Sequence, residues 1–133
     1  MINYFSEEDL SPIIDIIEKA EKTKLNVTYS PFKNNVMLSA HEQETELYLK
    51  LSYNNIIISR VQFKNKRQGT MTKLLKEIIL IAHKKEIKSV LVESVLTKEM
   101  SSFCIKNGFI RQVNYFDEGS YYGNYLLELK KED

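Results

Sequence analysis

The sequence predicts a mixed α/β domain with a central, mostly antiparallel sheet and helices on both of its faces. Three observations carry this prediction: three consecutive strand patterns with short polar breaks, a strand–helix–strand pattern after them, and a hairpin pattern near the end. With 133 residues, the chain is long enough for one core and short for two. We therefore expect a single domain over residues 1–133.

The N-terminal segment predicts a short strand followed by a helix. Residues 1–5 place apolar side chains at the alternate positions Ile2 and Tyr4, and residues 6–22 carry an isoleucine-rich stripe at helical spacing. Ser6 with Asp9 forms a capping-box pattern, whereas Ser11 before Pro12 is a second possible helix start. The sequence leaves both starts open.

The middle of the chain predicts an antiparallel meander and a βαβ unit. The strands of the meander are predicted at 36–42, 46–52 and 56–63. Their connections are too short for a crossover, so neighbouring strands must run antiparallel. Residues 72–86 then repeat apolar side chains at helical spacing, and residues 88–95 form a β-branched run. Because a helix joins them, strands 56–63 and 88–95 should run parallel.

The C-terminal third predicts a short helix and a hairpin. Thr97 is a suitable cap for a helix over residues 97–107, and Gly108 follows where a left-handed residue often ends a helix. Two strand patterns, 109–116 and 121–129, flank a turn-like segment.

Composition excludes several classes of protein. One cysteine, Cys104, and two histidines, His41 and His83, do not suffice for metal sites built from clustered Cys and His. The longest apolar run, residues 78–82, is far shorter than the roughly 20 residues that span a bilayer. We expect a protein without membrane contact, located in the reducing cytoplasm.

Charge is segregated along the chain although the overall net charge is only +1. Residues 1–60 have a net charge of −3, residues 61–110 of +6, and residues 111–133 of −2. A basic centre between acidic flanks indicates that the centre meets an anion. A nucleic-acid partner is not expected, because its affinity would need basic surface beyond this central block.

The segment 61–75 has the pattern of an anion-binding loop. A strand ends, a basic loop with Gly69 follows, and an amphipathic helix begins at once. The first N–H groups of such a helix lack internal acceptors and lie at the positive end of its dipole. A glycine lets a phosphate approach those amides closely.

Two motifs resemble the GCN5-related N-acetyltransferase (GNAT) superfamily. That family's loop reads Arg/Gln-x-x-Gly-x-Gly/Ala, and this chain has KRQGTM at 66–71 between Val61 and a Leu-Leu pair. The family's second signature ends a helix with a basic residue and Gly-Phe, and SSFCIKNGF at 101–109 is similar to it. The predicted element order also matches that fold from end to end.

The resemblance implies an acetyl-CoA site. Main-chain groups at the end of strand 56–63 would pair with the pantetheine arm, and amides of residues 66–71 would bind the pyrophosphate. The residues implied are Val61, Gln62, Phe63, Lys66, Arg67, Gln68, Gly69, Thr70, Met71, Thr72 and Lys73. The chain departs from the family pattern at Lys66, at Met71 and at Cys104, where the family usually has a tyrosine that protonates the departing thiolate.

The sequence leaves the proton-transfer groups open. Cys104 is either an acid or a small buried residue of its helix. The alternative acids are Tyr115, Tyr121, Tyr122 and Tyr125. Glu93, near the C-terminal end of strand 88–95, is the best-placed base, or else an ion-paired surface carboxylate. His41 and Ser59 are weaker candidates, and His83 is expected to be exposed.

The resemblance also implies an amine acceptor between the first helix and the last hairpin. Acidic side chains in those regions predict a cationic amine, of a small molecule or of a protein; they are Glu7, Glu8, Asp9, Asp15, Asp117 and Glu118. A homodimer formed through the hairpin is a further expectation from the family. A GNAT-like module that binds acyl-CoA or a protein without catalysis remains the alternative.

Overall fold

The computed structural model describes residues 4–40, 42, 44–66, 69–113 and 120–130. It contains three helices and seven strands in these residues. In chain order they are α1 (Glu7–Glu21), β1 (Asn26–Tyr29), β2 (Asn35–Ala40), β3 (Thr45–Leu51), β4 (Asn55–Gln62), α2 (Thr70–Lys84), β5 (Ser89–Val95), α3 (Lys98–Lys106), β6 (Ile110–Gln112) and β7 (Gly123–Glu128).

The first helix begins at the earlier of its two possible starts. The Ser6 side chain accepts from the Asp9 amide and the Asp9 carboxylate accepts from the Ser6 amide, both at 3.0 Å, so the predicted capping box is formed. Pro12 consequently lies inside α1. The predicted strand at the N-terminus is wrong for its described part: Tyr4 and Phe5 form no strand, and residues 1–3 lie outside the described residues.

One seven-stranded sheet forms the centre, in the order β1-β2-β3-β4-β5-β7-β6. All neighbouring pairs are antiparallel except β4 and β5, which are parallel as predicted. Strand β1, which pairs with β2 at the sheet edge, is not predicted by the sequence pattern. This strand has four residues with a largely exposed surface, so ladder hydrogen bonds rather than an apolar pattern hold it there.

The core lies under one face of the meander strands. Side chains of β3 alternate between buried and half-buried along the whole strand, which is the pattern of a sheet with one covered face. Leu47 and Leu49 from β3 and Leu74 and Ile78 from α2 are fully buried in the same cluster. Burying each such side chain contributes roughly 2 kcal/mol, so this cluster fixes α2, and with it the loop before α2, against the sheet.

The C-terminal helix and hairpin form as predicted. Thr97 caps α3 by accepting from the Met100 amide at 3.2 Å, and Gly108 has φ +88° just after the helix. Strands β6 and β7 pair antiparallel, and residues 114–119 of the segment that connects them lie outside the described residues. None of the described helices is long and apolar enough to cross a membrane.

Candidate acetyl-CoA crevice

The pairing between the two parallel strands ends before β4 does, and we call the space beyond their last pair the crevice. The pairing between β4 and β5 runs from Asn55 with Ser89 to Ile58 with Val92 and stops there within the described residues. Strand β4 continues to Gln62, bonded only to β3 on its other side. The main chain of residues 59–62 therefore presents an edge, on its β5 side, to which an extended ligand can add like a strand.

A bulge at Ser59 marks the start of this open edge. Leu49 pairs with Ile58 and the preceding Tyr48 pairs with Arg60, so Ser59 is the extra residue of β4. Bulges of this kind bend a strand and terminate regular pairing. Ser59, a weaker candidate base from the sequence, therefore lies at the position where the regular pairing of β4 ends. Beyond the bulge, Val61 and Gln62 occupy the open edge, and the Phe63 side chain is buried in the core.

The loop after β4 begins with a clamp made by a buried carboxylate. Glu21, the last residue of α1, is only 3% exposed. Its Oε1 accepts from the Lys64 amide at 2.6 Å and from Thr45 Oγ1 at 2.8 Å, and its Oε2 accepts from the Asn65 amide at 2.9 Å. The amides of Lys64 and Asn65 therefore point inward and are not available to a ligand.

The helix after the loop begins without a side-chain cap. Gly69, the N-cap residue, has φ +69° and ψ 14°, a left-handed conformation that favours glycine, and it makes no side-chain cap bond. The Lys73 amide bonds to the Gly69 carbonyl, so the amides of residues 70–72 are the ones left without intrahelical acceptors. A Cβ at position 69 would meet no atom of the described residues within 4 Å, apart from the neighbours of Gly69 in the chain.

Thr70 adds an unsatisfied polar atom at this helix start. Its Oγ1 is buried and has no hydrogen-bond partner among the described residues, and the residue is 6% exposed. Native structures pair nearly all such atoms, so an orphan of this kind needs an explanation such as a ligand. The predicted helix start at residue 72 is corrected to Thr70, so Thr70, Met71, Thr72 and Lys73 form the first turn of α2.

The surroundings of this helix start are basic. No acidic residue lies in the first turn of α2, and the side chains of Lys64 and Lys66 in the loop before it are exposed. Arg67 and Gln68, two of the predicted binding residues, lie outside the described residues. Met71 is half-buried and packs against the core cluster. The chemistry present fits a diphosphate.

Cys104 occupies the core face of α3. It is fully buried, and burial raises the pKa of its thiol to about 12. A thiol with such a high pKa and without solvent contact is a poor proton donor to a thiolate. The structure therefore favours the packing alternative for Cys104 over the acid.

The alternative tyrosines have distinct environments. The Tyr125 hydroxyl, buried under α3, donates to the Tyr121 carbonyl at 2.7 Å and lies 2.6 Å from Ser101 Oγ. Tyr121 and Tyr122 lie near the start of β7 with their rings edge to face, 4.7 Å between centroids, and the hydrogen bond with Tyr122 is the largest cause that raises the pKa of Tyr121. Tyr115 lies outside the described residues.

Glu93 lies at the mouth of the crevice. It follows Val92, the last β5 residue that pairs with β4, and is half-buried. Its Oε1 is 3.4 Å from Lys50 Nζ, an ion pair that reaches across β4 on the sheet face opposite Leu49. Glu93 is therefore ion-paired, which is one of the two alternatives expected from the sequence, and it also borders the open edge of β4. His41 lies outside the described residues, and His83 is half-buried near the end of α2.

Acidic residues of α1 lie in ion pairs with the end of α2 and in a groove at the β1 edge of the sheet. Asp9 is 6% exposed and forms ion pairs with Lys84 at 3.4 Å and Lys85 at 3.0 Å. Glu7, Asp15 and Glu18 line a groove of about 410 Å³ against β1. That groove is at the β1 edge of the sheet, whereas the hairpin strands form the other edge. Asp117 and Glu118 lie outside the described residues.

Comparison with solved structures identifies the fold. No protein-family model matches the chain, and no curated protein matches it in sequence. The PaiA N-acetyltransferase of Thermoplasma acidophilum, solved with coenzyme A, superposes with a TM-score of 0.51 at 17% identity and covers 97% of this chain and 98% of its own.

Two further structures give the same result. A GNAT-family acetyltransferase of Elizabethkingia anophelis with acetyl-CoA bound has a TM-score of 0.51 at 17% identity and covers 86% of this chain and 89% of its own. A GNAT-family acetyltransferase of Staphylococcus aureus Mu50 has a TM-score of 0.55 at 13% identity and covers 96% of this chain and 98% of its own. The chain therefore has the GNAT fold, which confirms the predicted mixed, mostly antiparallel architecture.

Proposed function

We propose that this protein is an acetyl-CoA-dependent N-acetyltransferase. The observation that carries the proposal is the junction of the open β4 edge with the uncapped start of α2. A strand edge can hold an amide-containing arm by main-chain hydrogen bonds, and the helix start can hold a diphosphate. Coenzyme A presents these two groups in that order, and both matching surfaces follow one another along residues 59–72.

The binding geometry supplies part of the catalysis by itself. An arm lying along β4 brings the acetyl thioester to the separation of β4 and β5, where an amine can approach. The amine nitrogen attacks the thioester carbonyl, the carbon–sulfur bond breaks, and its electron pair leaves on the sulfur. Holding two reactants in this arrangement removes a large part of the barrier.

Glu93 is our candidate for the group that receives the proton of the attacking amine. It is the described carboxylate that borders the crevice one residue beyond the last β4–β5 pair. The sulfur is then protonated by a hydroxyl of the last hairpin or by water, since Cys104 is buried with a raised pKa. Tyr121 and Tyr122, near the start of β7, are the more accessible hydroxyls.

We propose a cationic primary amine as the acceptor. The acidic pair Asp117 and Glu118 in the hairpin supports this choice, because carboxylates attract a protonated amine before it is neutralised at the site. Replacing both by Asn and Gln is expected to raise the KM for the amine while leaving that for acetyl-CoA unchanged. Steady-state kinetics measures both, and an unchanged amine KM would contradict the assignment.

A binding module without catalysis is the second candidate function, favoured by the burial of Cys104. One experiment separates the two. Purified protein is mixed with acetyl-CoA and a panel of amines, and both the thermal shift and the release of free thiol are recorded. Stabilisation with thiol release supports the enzyme, stabilisation without release supports the module, and no stabilisation contradicts both.

A further inference from the structure

The structure assigns a positioning role to Glu21, a residue outside the predicted binding loop: its carboxylate fixes the loop between β4 and α2 in the orientation that binds the diphosphate. This inference rests on the proposed acetyl-CoA site. It concerns a residue that touches neither the crevice nor the helix start, and that reaches them only through the loop.

The placement of Glu21 is unfavourable unless its contacts compensate. A carboxylate at the C-terminal end of a helix faces the negative end of the dipole, and burial removes its hydration. Its three donors offset these costs, and two of them are main-chain amides of the loop. Charge-assisted bonds of this kind are about twice as strong as neutral ones.

The contacts join three parts of the fold at one point. Thr45 at the start of β3, the loop at Lys64 and Asn65, and the end of α1 all meet at the Glu21 carboxylate. A fourth bond runs beside them, from Asn65 Nδ2 to the Ala20 carbonyl at 2.9 Å. The loop is therefore tied to α1 by both its main chain and a side chain.

The clamp decides which loop amides can meet a ligand. With the amides at 64 and 65 turned inward, the chain leaves the clamp at Lys66, whose side chain is exposed. Four residues later, α2 begins with its free amides. Without the Glu21 carboxylate, the amides of Lys64 and Asn65 lose their acceptors and the orientation of the loop is no longer fixed. The diphosphate site is then no longer preorganised.

The test compares Glu21→Gln with Asp9→Asn. Glutamine has nearly the same shape, but its NH₂ cannot accept from a main-chain amide, so one loop amide faces a donor. Asp9→Asn is the matched control, because Asp9 is also a buried carboxylate of α1, held by ion pairs at the end of the helix away from the loop. The acetyl-CoA dissociation constant is measured by calorimetry, and amide hydrogen exchange is measured on the free protein.

We expect Glu21→Gln to weaken acetyl-CoA binding about tenfold, because losing one charge-assisted hydrogen bond has an effect of about that size. We also expect it to speed amide hydrogen exchange at residues 64 and 65. Asp9→Asn should lower thermal stability, leave the acetyl-CoA affinity at the wild-type value, and speed exchange at residues 64 and 65 no more than it speeds exchange in the rest of α1 and α2. Equal affinity of wild type and Glu21→Gln would overturn the role, and so would equal weakening by the two variants.

A second variant covers the case in which Glu21→Gln does not fold. Asn65→Ala removes only the side-chain tether to Ala20 and is expected to weaken binding about threefold; unchanged affinity would count against the role. If the wild type itself binds no acetyl-CoA, the proposed function fails, while the exchange rates at 64 and 65 still show whether Glu21 holds the loop.

Discussion

Replacing Gly69 by aspartate or asparagine separates backbone strain from electrostatics at the helix start. Both side chains have almost the same shape, both accept the left-handed conformation better than other residues, and both cap helices well. The position has room for them, because a Cβ there meets no atom within 4 Å among the described residues that are not its neighbours in the chain. The two variants should therefore have similar stability without ligand, each within about 1 kcal/mol of wild type.

Binding of acetyl-CoA should distinguish them. Two unit charges about 4 Å apart repel by about 4 kcal/mol at an effective dielectric constant of about 20, and exposure of the site to water reduces this to about 2 kcal/mol at low salt. That is roughly a thirtyfold weaker affinity for Gly69→Asp than for Gly69→Asn at low salt.

Calorimetry with acetyl-CoA at two salt concentrations measures this difference. The gap between the variants should narrow as salt rises, because the repulsion is screened. Thermal shifts give the same ranking, with the aspartate variant showing no shift at concentrations that stabilise the asparagine variant. Equal affinity of both variants at low salt would refute the assignment of the diphosphate to the start of α2.

Three further predictions concern residues whose roles the structure separates. Cys104→Ala should lower the free energy of unfolding by about 1 kcal/mol and leave the rate of acetyl transfer within about twofold of wild type. In the wild-type protein, the Cys104 thiol should not react with a disulfide reagent at pH 8, and fast labelling would contradict its burial. Because burial raises the pKa of this thiol to about 12, wild-type stability should fall from about pH 9 to about pH 12, and equilibrium unfolding should show a smaller fall in the alanine variant. Burial alone would raise the pKa of Asp9, but hydrogen bonds from Ser6 and Lys85 outweigh it and lower that pKa, so the stability that Asp9 confers is present above about pH 4 and lost as pH falls further. Asp9→Asn should therefore lower the free energy of unfolding by about 2 kcal/mol at pH 7 and make it fall less steeply below about pH 4. An equally steep fall of stability with acid in wild type and variant would contradict this prediction. Glu93→Gln should lower kcat at least tenfold with the KM for acetyl-CoA unchanged, whereas Lys50→Met, which removes only its ion-pair partner, should retain activity; equal kcat in wild type and Glu93→Gln would remove Glu93 from the mechanism.

The sequence predicts the elements whose patterns are local. The capping box at Ser6, the cap at Thr97 and the left-handed Gly108 each depend on a few neighbouring residues, and each is present in the structure. The parallel pair also follows from the chain order, because a helix must connect such strands. Helix α2 begins two residues earlier than predicted, because Gly69 rather than a capping side chain starts it.

Features that depend on distant contacts are not visible in the sequence. Strand β1 has few apolar side chains and exists because β2 offers it a pairing edge. The role of Glu21 requires knowledge that the end of α1 meets a loop 43 residues later in the chain. The one local signal is a carboxylate in the last turn of a helix, where the dipole disfavours it. The acidity of α1 was assigned to an acceptor groove, but Asp9 instead pairs with the lysines that end α2.

Helix α1 is fastened at both ends by buried carboxylates, Asp9 to the lysines at the end of α2 and Glu21 to the loop before α2. Separating α1 from α2 and the loop before it would break these attachments and expose the apolar surface that the two helices share. The pair should behave as one cooperative foldon, with amides in the middle of each exchanging at a common rate under native conditions. Any ligand that orders the loop before α2 would then slow exchange throughout α1, far from where it binds.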